Sequence, residues 1–132
     1  MSSPQSPFKS RGGFGRLSRA AQYALQGLSA AVRHEAAFRQ ELAIGLIALP
    51  VAIWLGQTWL EICLLLGSLI LVLIVELINS SIEAMADTIT QEHHPLIGRA
   101  KDLASAAVLL TVLMAIGVWL TIAAVRFIPL IH

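Results

Sequence analysis

Five polar residues interrupt an otherwise apolar stretch: Glu76, Asn79, Ser80, Glu83 and Asp87. At about 100° per residue all of them fall within about 60° of Glu76, so the spacing predicts a polar stripe on one helix face. A carboxylate inside a bilayer costs roughly 2.5–3.5 kcal/mol at the centre on insertion scales, which makes such groups functional candidates. Charged residues gather at two further places. One is the run Glu35-Ala36-Ala37-Phe38-Arg39-Gln40-Glu41, where Glu35 and Arg39 have the i,i+4 spacing of an ordinary helix ion pair. The other is Gly98-Arg99-Ala100-Lys101-Asp102, directly before the last apolar run. Carboxylates with Lys and Arg at one wet boundary are the components that hold a magnesium-bound polyphosphate.

The elements that must position these groups are membrane helices. Of 132 residues, 57% are hydrophobic and 13% charged, against about 25% charged in soluble proteins. With a mean hydropathy of +0.77, so short a chain cannot hide its apolar surface in one core. Disorder, collagen, a coiled coil and a disulfide scaffold are excluded by the same composition, and Cys63 alone allows no internal disulfide. Residues 1–15, rich in Ser, Pro and Gly, read as a tail. Over residues 16–40, Leu17, Ala21, Ala24, Leu28 and Val32 form an apolar stripe opposite Arg19, Gln22, Gln26, Ser29 and Arg33. That is an amphipathic surface helix suited to an anionic headgroup layer. Transmembrane helices are expected over 42–59, 62–87 and 103–125, in a single membrane domain covering 1–132. Trp54, Trp59 and Trp119 are candidate interfacial anchors.

The first long apolar run begins at Leu42, too far in for a secretion signal. The link between the first two spans carries no Lys or Arg, whereas the second carries Arg99 and Lys101. Together with the basic amino-terminal region, this places the amino terminus and the three charged clusters in the cytoplasm. Three helices cannot enclose so long a polar stripe, so an oligomer is expected. There is no GxxxxGK[ST] loop, no HRD or DFG motif and no GxSxG elbow. The adjacent His93 and His94 suit one metal poorly, and the basic residues flank membrane segments, which argues against a nucleic-acid site.

The runs from Glu35 to Glu41, Val75 to Ala84 and Gly98 to Ala107 resemble those of the prokaryotic integral-membrane diacylglycerol kinase family, over about residues 14 to 125. The resemblance implies an all-α homotrimer in the cell inner membrane, each subunit with three transmembrane helices and an amphipathic surface helix. It implies transfer of the ATP γ-phosphate to the hydroxyl of diacylglycerol, giving phosphatidic acid. By the same resemblance Glu35 and Glu83 match the family's Mg²⁺ carboxylates and Glu76 its general base. Asn79, Lys101 and Asp102 match essential positions. Arg16, Tyr23, Glu92 and His94, with Lys101 and Asp102, match the nucleotide side, and Arg16, Glu41, Glu76, Ser105 and Trp119 the lipid side. The chain departs from one well-known member of that family at Ala24, His93 and Pro95, where that relative has Ser, Tyr and Glu.

Three other functions compete with this reading, one of them a structural or regulatory subunit with no chemistry, which leaves Glu76, Asn79 and Glu83 unexplained. The same fold could phosphorylate undecaprenol, which these motifs do not exclude. A small proton-coupled multidrug transporter also uses an intramembrane Glu. It has no need for the Glu35–Glu41 and Arg99–Asp102 clusters, and three spans are not an even packing of four.

Overall fold

In hydrocarbon every backbone N–H and C=O must find a partner within the chain, so uninterrupted runs of Leu, Ile, Val and Ala can only be helices. The structure, a computed structural model, describes residues 13–89 and 94–131. Its helices are α1 (Gly13–His34), α2 (Ala36–Leu55), α3 (Trp59–Ile89) and α4 (Pro95–Phe127), followed by a 3₁₀ turn at Pro129–Ile131. No strand occurs among the described residues. Helices α2, α3 and α4 are each long and apolar enough to cross a membrane. Helix α1 is amphipathic and ends on the basic residues Arg33 and His34, and the Arg33 charge suits the negative end of a helix dipole.

The boundaries differ from the expected ones in instructive ways. Helix α1 already starts at Gly13, inside the expected tail, and it stops at His34 instead of continuing to residue 40. Glu35 is extended (φ −111°, ψ 104°) and takes the N-cap position of α2. Its carbonyl accepts from the Arg39 amide at 3.1 Å, and its side chain makes no capping bond. The first span therefore runs over 36–55, through Pro50, and not over 42–59. Helix α4 begins eight residues before the expected 103, so the Gly98–Asp102 cluster is helical. Two start signals explain this: Pro95 at the first helical position and His94 as N-cap, whose Nδ1 accepts from the Leu96 amide at 3.2 Å.

The chain divides at Glu35 into two compact units, with α1 in one and α2–α4 in the other. In the second unit α3 is central and packs along both α4 and α2, while α2 and α4 touch only slightly. Ala52, Leu55, Leu65 and Ile122 form a buried cluster, with Leu66, Val118, Trp119 and Ala123 packed around it. Trp119 is thus part of the packing. Trp54 and Trp59 are exposed, and Trp54 lies 5.8 Å from the Phe127 ring and 5.9 Å below Arg126 Cζ. At 1.5 Å per residue, α3 (31 residues) and α4 (33 residues) are about 46 and 50 Å long, against a hydrocarbon core of about 30 Å. Both must extend beyond the hydrocarbon, at least into the headgroup layer.

The turn between α2 and α3 is tightly made. Thr58 and Glu61 form a reciprocal capping box. The Thr58 hydroxyl accepts from the Glu61 amide at 3.2 Å, and Glu61 Oε2 accepts from the amides of Thr58 at 3.2 Å and Gln57 at 2.6 Å. A Cβ on Gly56 would meet Ile62 Cγ1 at 2.5 Å and the Ile62 backbone nitrogen at 3.0 Å. Space, not backbone angle, requires glycine there. We expect Glu61→Ala to destabilise the protein by about 1 kcal/mol through lost capping, and Gly56→Ala by about 1–3 kcal/mol through overpacking. Denaturant unfolding in mixed micelles, followed by circular dichroism, measures both. Wild-type stability in both variants would refute this account of the turn.

Candidate functional site

The polar stripe of α3 faces inward. Glu76 is only 5% exposed and Asn79 and Ser80 are each 9% exposed, although all lie on a helix whose Ile70, Ile74 and Ile78 are open to the surroundings. The Asn79 side-chain amide, one turn on, hydrogen-bonds the Glu76 carboxylate. The carboxylates of Glu83 and Glu35 lie within electrostatic reach of Glu76, and Glu76 within reach of Glu41. Glu76 thus has three acids within electrostatic reach, two from the start of α2 and one from its own helix. The break at Glu35 matters here, because it leaves that carboxylate free of a capping bond. Like charges repel more strongly in a low dielectric than in water, and a cation would relieve that repulsion.

Beside the acids lies an apolar groove of about 420 Å³ between α2, α3 and α4. Ile44, Val72, Val112 and Ala115 line it, with Glu41 and Trp119 as its polar exceptions. Glu41 Oε2 and Trp119 Nε1 are buried and have no hydrogen-bond partner among the described residues, and the same holds for Asn79 Oδ1 and Ser80 Oγ. Glu41 therefore connects the groove with the acid cluster. At the other side of the acids, Lys101 Nζ on α4 donates to Asp87 Oδ1 on α3 at 3.1 Å. Among the described residues no three His, Cys, Asp or Glu side chains are grouped to hold a metal by themselves. A hard cation such as Mg²⁺ needs less, since one or two carboxylates with substrate phosphates and water complete its shell. The donor set, all carboxylate oxygen, has the right chemistry.

The expected site residues fall into groups. Glu35, Glu41, Glu76, Asn79 and Glu83 come together, and Glu41 shares the groove with Trp119. Lys101 is half-buried and next to Asp87, whereas Asp102 and Ser105 are exposed on α4, and Ser105 does not line the groove. His94 is exposed, with Nδ1 engaged as the helix cap, so Nε2 is its remaining ring nitrogen. Arg16 and Tyr23 lie on α1, in the other compact unit. Glu92 lies outside the described residues. The apolar groove residues went unremarked in the sequence, because Ile44, Val72, Val112 and Ala115 are indistinguishable there from other lipid-facing positions. The role of Asp87 as partner of Lys101 carried no signal either.

Fold and site together describe a protein with three helices long and apolar enough to cross a membrane, with buried polar groups beside an apolar groove. The model of the prokaryotic diacylglycerol kinase family matches residues 22–123. The chain is 49% identical over 107 residues to a diacylglycerol kinase of Escherichia coli, an overlap covering 81% of this chain and 88% of that protein. It is 43% identical over 117 residues to one from Pseudomonas aeruginosa, covering 89% and 95%, and 41% identical over 119 residues to one from Helicobacter pylori, covering 90% and 92%. The chain belongs to the prokaryotic diacylglycerol kinase family, and so to the lipid kinases. The resemblance seen in three short motifs is borne out over most of the chain.

The unpartnered indole of Trp119 gives a direct test of the groove. Trp119→Phe keeps most of the ring and removes a buried donor without an acceptor, so stability should stay within about 0.5 kcal/mol of wild type. Trp119→Ala, which empties space beside the buried cluster, should cost about 2 kcal/mol or more. A Trp119→Phe variant as unstable as Trp119→Ala would mean that the N–H has a partner in the assembled protein.

Proposed function

We propose that this chain transfers the γ-phosphate of ATP to the free hydroxyl of diacylglycerol, forming phosphatidic acid at the cytoplasmic face of the inner membrane. The observation that carries this reading is the buried Glu76, hydrogen-bonded by Asn79 and adjoined through Glu41 by an apolar groove. The names of the related proteins support diacylglycerol as the acceptor. The lipid chain lies in the groove and its hydroxyl reaches Glu76. Glu76 takes the hydroxyl proton as the lipid oxygen bonds to the γ-phosphorus and the bond to the β,γ-bridging oxygen breaks, releasing ADP. Asn79 holds the Glu76 carboxylate in place. Glu83 lies two turns nearer the wet end, about 10 Å along the axis at 1.5 Å per residue, so it can serve the phosphates while Glu76 serves the lipid.

Glu35 and Glu83 are the residues that would hold Mg²⁺, which when bound neutralises charge on the phosphate oxygens. The family resemblance further gives Lys101 and Asp102 a role with the phosphates, Arg16, Tyr23, Glu92 and His94 a role in nucleotide binding, and Arg16, Ser105 and Trp119 a role in lipid binding. Catalysis of this kind rests on alignment and charge neutralisation more than on covalent chemistry. The many exposed apolar side chains of α2–α4 and the polar stripe fit a homotrimer, with the amino terminus in the cytoplasm.

Glu76→Gln keeps the shape of the side chain but cannot accept a proton. It should assemble as wild type and still bind MgATP, yet lose the chemical step by about 10²–10⁴-fold. Single-turnover phosphorylation beside equilibrium nucleotide binding decides this, with diacylglycerol and undecaprenol offered separately in mixed micelles. A wild-type rate in Glu76→Gln removes Glu76 as the base, and turnover on undecaprenol alone replaces the substrate.

The metal assignment makes a separate demand. Glu83→Gln should nearly abolish turnover without unfolding the protein. Glu35→Gln should raise the Mg²⁺ concentration needed for half-maximal activity, and added Mg²⁺ should partly restore it. Unchanged Mg²⁺ dependence in both would leave these acids with no part in metal binding.

A further inference from the structure

Asp87 is a charged residue of the α3 stripe to which the proposed reaction gives no part. It lies one turn beyond Glu83, and its Oδ1 accepts from Lys101 Nζ at 3.1 Å. The two residues stand 14 positions apart on different helices, so the pair joins α3 and α4 where both run beyond the hydrocarbon. The side chains are 39% and 64% exposed for Lys101 and Asp87. An ion pair so exposed shifts an equilibrium by about five-fold at most. That is too little to hold the helices together, which bury apolar side chains along their length. It is also weak enough to be exchanged for a stronger anion. A magnesium-bound polyphosphate carries more negative charge than one carboxylate and offers several acceptor oxygens to the same ammonium.

We propose that Asp87 is the resting-state counter-ion of Lys101: it holds the ammonium at the mouth of the site in the absence of nucleotide, yields it to the incoming polyphosphate of a nucleoside triphosphate, and takes it back as the diphosphate leaves. This rests on the reading above that nucleotide binds at the polar end of α3 and α4. Asp87 is then a positioning residue that acts through Lys101 and touches no substrate. Its presence weakens nucleotide binding modestly and speeds product release, because the carboxylate competes with phosphate for one cation. A carboxylate with a purely structural role would instead change stability and leave nucleotide affinity alone.

The experiment compares wild type, Asp87→Asn, Asp87→Ser, Asp87→Glu, Lys101→Gln and the double variant Asp87→Asn/Lys101→Gln in mixed micelles. Equilibrium binding of MgATP and the dissociation rate of MgADP are measured alongside lipid phosphorylation. Asp87→Asn and Asp87→Ser should bind MgATP about three- to five-fold more tightly and release MgADP more slowly by a similar factor. Asp87→Glu, which can still reach Lys101, should resemble wild type. In the Lys101→Gln background, Asp87→Asn should change nothing further. Unchanged or weaker MgATP binding in both neutral variants overturns the proposal. So does an equal gain in the Lys101→Gln background, which would make Asp87 only a general negative charge. Wild-type protein that binds no MgATP overturns the kinase reading and this inference together, whereas failure of the Asp87 variants alone, with wild-type turnover intact, overturns only the inference.

Discussion

The whole bundle is organised by the need to bury the Glu76 carboxylate on a helix that must otherwise be apolar. Such a group is tolerated only if the surrounding protein gives it polar company. Asn79 supplies the hydrogen bond from one turn away on the same helix. The other neighbours, Glu35, Glu41 and Glu83, add negative charge where a merely stable protein would have placed a cation or nothing. A sequence that accumulates like charges in a poorly hydrated place accepts instability in return for a site, which under the proposed function would be completed by a cation and phosphates from solution. The break between α1 and α2 belongs to the same design. A helix continuous through Glu35 would fix that residue in a regular turn, whereas the extended backbone puts it at the head of α2 with no capping bond from its side chain.

Helix length does the second part of the organising. Helices α3 and α4 are much longer than the hydrocarbon is thick, and the end of α3 lies beside the start of α4. Glu83, Asp87, Lys101 and Asp102 all lie on these two stretches, and the early start of α4 at Pro95 makes it possible. Were residues 95–102 a loop, Lys101 would be free to move over a wide volume. On a helix it is confined to one side of α4 and meets Asp87 of α3. Surface pairs of this kind are weak, and weakness is what a residue needs if it is to exchange partners during turnover.

Packing in the membrane part follows a different rule from that of soluble cores. Large apolar residues such as Ile47, Leu110 and Leu120 are exposed, while many buried positions are small, including Ala52, Ser68, Ala104 and Ala115. Lipid tails are as apolar as leucine, so helices associate by close backbone approach at small residues and not by hiding large ones. Leu65, Leu55 and Ile122 anchor the far end of the bundle. Nearer the acids, α2 and α4 barely touch, and the groove between them remains. Apolar walls with two inward polar atoms, on Glu41 and Trp119, suit an amphiphile better than either water or a plain hydrocarbon.

The sequence alone determined the helical class, the three membrane segments, the amphipathic first helix and the stripe headed by Glu76. All of these depend on composition or on periodicity within one helix, which need no knowledge of neighbours. The family was legible too, since its motifs are short, local and dense in charge. Helix ends were read less well. The starts at Pro95 and Ala36 depend on capping by His94 and on the backbone of Glu35, and these compete with the apolar pattern that set the expected limits. What only the tertiary structure decided are the meetings between helices: Glu35 with Glu76, Glu41 with Trp119 across one groove, and Lys101 with Asp87. The physical reason is that a helix fixes the relative angles of its own residues, whereas which face meets which neighbour depends on the register and rotation set by packing.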